Sequence, residues 1–150
     1  MNRNLILEAA RLTEYSALYA SRYMGKGDDE LCYNSADSAM WKCLETMDID
    51  GEIIIGAANR DLNICDGKKA GMGEGPFVDI AAKPLEGKRT CATGGHNSIS
   101  VVALGSKGSF MKVPPCLMHK IAVGEGARGV IDINEPPQIN IKRVARALNK

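Results

Sequence analysis

The chain has 150 residues, 45% hydrophobic and 25% charged, with 19 Lys plus Arg against 18 Asp plus Glu and a formal net charge of +1. That length suits one domain able to bury its own core, and the near-balance of charge argues against a general nucleic-acid binder or a membrane-surface protein. No apolar run approaches the roughly 20 residues of a membrane-spanning helix, and the charges within MNRNLILEAARL leave no signal-peptide core. The cysteines, Cys32, Cys43, Cys65, Cys91 and Cys116, are scattered and form no C-x-x-C pair. This reads as the reduced thiols of a cytoplasmic protein, not a disulfide framework or a zinc site.

In chain order, Leu5, Ala9, Leu12, Ser16, Tyr19, Ala20 and Tyr23 recur at helical spacing and predict an amphipathic helix over 4–24, stopped by Gly25 and Gly27. A second helix is predicted over 35–47, with Met40, Cys43, Leu44 and Met47 on one face and Trp41 beside them. Asp50-Gly51 reads as a turn and 52–56 as a short apolar strand of the kind buried under helices. Residues 57–76, rich in glycine, read as a long loop with room for a short strand. Strands follow at 77–82 and 99–105. Ser106-Lys107-Gly108 then turns into a hairpin partner over 109–113, and Pro114-Pro115 breaks the chain. Residues 117–123 and 129–133 are weaker strand candidates. Pro136-Pro137 opens a last helix striped by Ile141, Val144, Ala145 and Leu148. Two helices, several strands and a closing helix make a layered α+β or α/β domain with a sheet flanked by helices.

Four segments carry more information. They are Arg11-Leu12-Thr13-Glu14 through Gly25-Lys26-Gly27-Asp28; 48–56, DIDGEIIIG; 73–81, GEGPFVDIA, followed by Pro84-Leu85-Glu86-Gly87; and 120–133 with the closing Val144-Ala145-Arg146-Ala147-Leu148. In order and spacing they resemble the class II fructose-1,6-bisphosphatases, including the dual fructose/sedoheptulose bisphosphatases. The resemblance covers essentially the whole chain. It implies the N-terminal half of a sugar-phosphatase fold, akin to that of the inositol monophosphatases, with a mixed sheet flanked by helices over residues 1–150. The C-terminal substrate half is then absent. It also implies two or three magnesium or manganese ions on carboxylates from three short stretches. There they would bind phosphate, activate a water and neutralise the leaving oxygen.

Each stretch can be compared. The family's G-x-G-D-K-N-x-A-D is here Gly25-Lys26-Gly27-Asp28-Asp29-Glu30-Leu31-Cys32-Tyr33. Asp28 matches, Asp29 replaces the lysine, and the ligand aspartate falls on Tyr33. Inserting four residues would instead bring Asp37 to the ligand place and shorten the next helix by a turn. The family's G-E-G-E-x-D-E-A-P is here Gly56-Ala57-Ala58-Asn59-Arg60-Asp61-Leu62-Asn63-Ile64, with Ala57 for the ligand glutamate, Asn59 for the catalytic-side glutamate, and Asp61 kept. The family's D-P-x-E-G-T is here Lys83-Pro84-Leu85-Glu86-Gly87-Lys88, with Lys83 for the ligand aspartate and Lys88 for the threonine that positions water.

By this transfer Glu86 remains of the principal metal ligands, with Asp28 and Asp61 as supporting acids. Lys83, Lys88 and Arg89 gather where cations would bind. They can act as fixed charges neutralising Glu86, Asp79 and Asp61, or as an anion site for a phosphorylated sugar. The chain is therefore expected to be a non-catalytic binding or regulatory subunit without a cofactor, homo-oligomeric or paired with a full-length paralogue. The alternative is a magnesium- or manganese-dependent bisphosphatase that hydrolyses fructose 1,6-bisphosphate to fructose 6-phosphate and phosphate. The Gly71–Gly75 run lacks the Lys-Ser/Thr of a P-loop and reads as a turn. His96, in a tight turn with no acidic or Ser partner in sequence, and His119, beside Lys120 in a predicted strand, read as structural or exposed.

Overall fold

The structure is a computed structural model describing residues 3–112 and 118–150. Cys116, the Pro114-Pro115 break, Val113 at the end of the predicted hairpin, and Leu117 lie outside the described residues. The described residues form two units, Met1–Val113 and Pro114–Lys150.

In the first unit, Leu12, Ser16 and Ala20 recur every four residues and form the buried stripe of α1 (Arg3–Ser21). The second helix, α2 (Asp29–Leu44), begins six residues before the predicted 35. Asp28 caps it, its carboxylate accepting the Leu31 N–H at 2.8 Å, and Asp29 and Glu30 place negative charge on the first turn. Strands β1 (Asp50–Ile55), β2 (Lys69–Ala70), β3 (Phe77–Glu86) and β4 (Ile99–Ser106) form one mixed sheet in the order β2-β1-β3-β4. β1 and β3 are parallel, and the other pairings are antiparallel. Between β3 and β4 lies a five-residue helix, α3 (Lys88–Ala92), that the sequence did not announce.

Alternation along β3 sends Val78, Ile80 and Ala82 into a core with Leu12, Met40, Leu44, Ile53 and Ile64. Each fully buried aliphatic side chain there is worth about 1.5–3 kcal/mol against exposure. The Ser16 hydroxyl sits between the carbonyl oxygens of Ala36 (3.0 Å) and Pro84 (2.8 Å), tying α1 to α2 and β3. The glycine run is a packing device. A Cβ on Gly75 would lie 1.9 Å from the Asp48 carbonyl oxygen, and Gly73 N–H donates to the Ile49 carbonyl at 3.0 Å.

The predicted hairpin partner of β4 does not form over residues 109–112. The Asp79 carboxylate takes the Gly108 N–H (2.8 Å) and the Phe110 N–H (3.3 Å), so those donors go to a side chain and not to a strand.

In the second unit, neither 118–123 nor 129–133 is a strand, and His119 lies outside regular structure. Ile121, Val123 and Ile131 instead line an apolar groove of about 430 Å³ with Ile141 and Val144 of α4 (Pro137–Ala147) and with Leu148, its C-cap. Buried Asn140 holds the turn before α4: it accepts from Asp132 N at 2.9 Å and donates to the carbonyls of Asp132 (2.8 Å) and Glu135 (3.2 Å). These bonds use backbone groups that a strand ladder would need. Among the described residues, no helix is long and apolar enough to cross a membrane.

Candidate functional site

The carboxyl end of β3 carries Lys83, Leu85 and Glu86 to the edge of an open cleft of about 1040 Å³. Pro84 sits where the β3–β4 register shifts, between Lys83 and Glu86, a place that tolerates its missing N–H. Gly87, at φ 81°, turns the chain into α3 and delivers Lys88 and Arg89 to the same cleft, while the Ser98 hydroxyl holds the Gly87 carbonyl at 2.9 Å. Glu30, Tyr33 and Asp37 of α2 form a second wall, and the loop after β1, with Ala57, Asn59 and Asp61, forms a third. All three motif stretches thus meet in one place.

The carboxylates divide into two kinds. Asp37 is 1% exposed. One of its oxygens accepts from Asn63 N and Asn63 Nδ2, each at 2.8 Å, and the other from Ile64 N at 2.9 Å. It pins the 57–64 loop to α2 as part of the fold. The helix runs unbroken from Asp29 to Leu44, with Tyr33 and Asp37 on successive turns of its buried side. Glu86 and Asp61 are exposed. Glu86 lies 3.9 Å from the Lys83 ammonium, and the Asp61 N–H caps onto Asn59 Oδ1 at 3.1 Å. Asp28 is engaged at the start of α2 and does not line the cleft.

The cations are placed more tightly than their motif suggests. Lys83 Nζ stands 5.3 Å from the centroid of the Tyr33 ring and 3.9 Å from Glu86, so one ammonium lies within attractive range of both. Lys88 bonds Glu30 and lies 3.8 Å from Asp29, bridging α3 to the start of α2. The Glu30 hydrogen bond raises the Lys88 pKa above its ordinary value. Burial, then the carboxylates of Asp37, Glu86 and Glu30, raise that of the Tyr33 hydroxyl. Arg89 forms no ion pair among the described residues. Asp79, expected to share these cations, is instead held by the Gly108 turn and is not part of the lining. Sequence reasoning missed Glu30 and Asp29 as partners of Lys88, 58 residues away in the case of Glu30. Adjacent acids opening a helix were the available signal. His96 and His119 are both exposed.

The lining carries four carboxylates, Glu30, Asp37, Asp61 and Glu86, against Lys83, Lys88 and Arg89, a formal charge of −1. Among the described residues, no three His, Cys, Asp or Glu side chains converge to hold a metal ion.

A mixed sheet with paired helices packed on it, and a charged cleft at the end of its central strand, fits a layered α+β phosphatase fold. Residues 3–150 match the sequence model described as bacterial fructose-1,6-bisphosphatase, glpX-encoded. The chain is 41% identical over its whole length to fructose-1,6-bisphosphatase 1 class 2 of Escherichia coli (strain K12), covering 45% of that protein. It is 40% identical over its whole length to fructose-1,6-bisphosphatase class 2 of Haemophilus influenzae, covering 46%. Over 99% of its length it is 33% identical to D-fructose 1,6-bisphosphatase class 2/sedoheptulose 1,7-bisphosphatase of Prochlorococcus marinus, covering 45%. The chain belongs to the class II fructose-1,6-bisphosphatase family and spans about half the length of these relatives.

Proposed function

We propose that this chain is a non-catalytic member of the family, a binding or regulatory subunit in which fixed ammonium groups stand where divalent ions would be held. The observation that carries the reading is Lys83, whose ammonium lies 3.9 Å from Glu86 and over the Tyr33 ring. A hard divalent ion needs about six or more oxygen ligands, several of them anionic. Here Asp37 gives both oxygens to N–H donors, Ala57 has no donor, and Lys83 repels a cation at the place it would occupy. The donor set does not fit the ions. The lining's formal charge of −1 also favours charge replacement over an anion site for phosphorylated sugars.

As a cytoplasmic subunit the chain would assemble with itself or with a full-length relative. Support comes from the sheet face opposite the core, where Phe77, Ile99 and Val101 are 58%, 52% and 46% exposed. Fructose 1,6-bisphosphate is the substrate to test, because the similar proteins are named for it. Phosphate release with manganese should not exceed background, and chelator-sensitive release would overturn the proposal. The triple variant Lys83→Asp, Ala57→Glu, Tyr33→Asp should gain manganese affinity by calorimetry. Light scattering, alone and with a full-length relative, reads the assembly. A monomer in both experiments would sink that part.

A further inference from the structure

Two thiols lie together beneath the cleft and take no part in the reading above. Cys32 on α2 is fully buried and Cys91 on α3 is 4% exposed. The Cys32 sulfur is 3.5 Å from the Tyr23 carbonyl oxygen and the Cys91 sulfur 3.8 Å from that of Ala20, so both hang under the same end of α1. The two carbonyls are three residues apart, and both thiols belong to one apolar cluster with Tyr33, Leu85 and Ala92. Of the remaining described cysteines, Cys43 packs against the other core cluster and Cys65 sits at the bridge with Ala57.

We propose that Cys32 and Cys91 are a redox pair that closes to a disulfide between α2 and α3. The oxidant is a small-molecule disulfide. Cys91, the less buried, loses its proton and attacks one sulfur of that disulfide, and the other sulfur leaves as a thiolate that takes up a proton. Cys32 then loses its proton and attacks the Cys91 sulfur of the mixed disulfide, expelling the second small thiol. Two protein thiols give up two electrons and two protons, and one small disulfide becomes two thiols. Access requires α3 to open, and a five-residue helix is too short to hold itself without its packing. The reaction is therefore slow and its product stable. The bond would fix two walls of the cleft relative to each other, since α2 carries Glu30 and Tyr33 and α3 carries Lys88 and Arg89.

Incubating the full chain with oxidised glutathione, trapping free thiols and mapping peptides without reduction tests this. The expected product is a cross-linked pair of peptides holding Cys32 and Cys91. Closing a loop across a 59-residue separation should raise the melting temperature by on the order of 10 °C, reversibly with dithiothreitol. Cys91→Ser and Cys32→Ser should each abolish the cross-link. The map of the unmodified chain decides the matter even where a variant folds poorly. Glutathione adducts alone, a cross-link through Cys43, Cys65 or Cys116, or no reaction at Cys32 and Cys91 would each overturn the proposal.

Discussion

On the floor of the cleft, Asp37 is 1% exposed and gives both oxygens to N–H donors of Asn63 and Ile64. On the rim, Glu86 keeps 65% of its side chain in water and meets a lysine ammonium 3.9 Å away. Both are carboxylates lining one cavity, but a charge on the floor belongs to the fold and a charge on the rim does not. Removing the first leaves backbone donors buried and unpaired, whereas removing the second returns a partner to solvent. The rim can therefore exchange acids for lysines while the sheet and helices beneath it stay as they are.

The floor should give the largest effect. Asp37→Ala leaves two N–H groups of Asn63 and one of Ile64 without their acceptor and should cost about 3 kcal/mol in urea unfolding. Asp61→Ala, the rim control, should stay within about 0.5 kcal/mol. Equal losses at the two positions would erase the distinction. Asp79 lies outside the cleft but is buried like Asp37, 4% exposed, and among the described residues it accepts from the Gly108 and Phe110 N–H groups alone. Asp79→Ala should cost about 1–2 kcal/mol by the same measurement and speed amide exchange first in the 107–110 turn.

The same division governs how much the sequence could tell. Elements whose cause is local were legible: the Leu12, Ser16, Ala20 stripe of α1, the alternation of β3, and the Pro137 start of α4. The early start of α2 is also written locally, in Asp28, Asp29 and Glu30, but the same residues align with a family motif, which masks their role as a cap and first turn. Long-range causes were hidden. Nothing near Asp79 says that its carboxylate will take N–H groups 29 and 31 residues on and displace a hairpin strand. Nothing near Asp37 says that it anchors a loop 26 residues away. β3 runs four residues beyond its predicted end because Pro84 falls at a register shift, which only the pairing with β4 creates. Ala57, Lys83 and Lys88 stand plainly in the sequence, but the pairing of Lys88 with Glu30, 58 residues away, is signalled there only by two adjacent acids at the start of a helix.

A smaller effect comes from the buried thiol beneath the floor. Burial, then the neighbouring Cys91 sulfur and the carboxylates of Asp28 and Asp29, push the Cys32 pKa from 9.0 to about 11. The folded state thus keeps a proton that the unfolded chain loses first. The stabilisation is complete below pH 9 and is lost as pH rises through about 11. Lys88 adds a loss of the same sign higher up, since Glu30 raises its pKa above 10.5. Melting temperature followed from pH 8 upward under reducing conditions should fall across this window. Cys32→Ser should flatten the lower part of the fall, and a curve unchanged by that substitution would assign it to other groups.

Lys83 should give the smallest effect on stability and the clearest reading of the rim. Its side chain is 49% exposed, its ion pair with Glu86 is long, and its contact with the Tyr33 ring lies near the limit for cation–π attraction. Lys83→Ala should therefore change unfolding free energy by no more than about 0.5 kcal/mol, with the difference shrinking further in 1 M salt. A loss above about 2 kcal/mol would mean that the ammonium supports the floor as Asp37 does. Lys83→Met separates the two contributions, because it keeps the stem against the ring and removes only the charge. If Met restores what Ala loses, the lysine is held by packing. If neither variant changes stability, its charge serves only the neighbouring carboxylates, and the rim at Lys83 is independent of the fold beneath it.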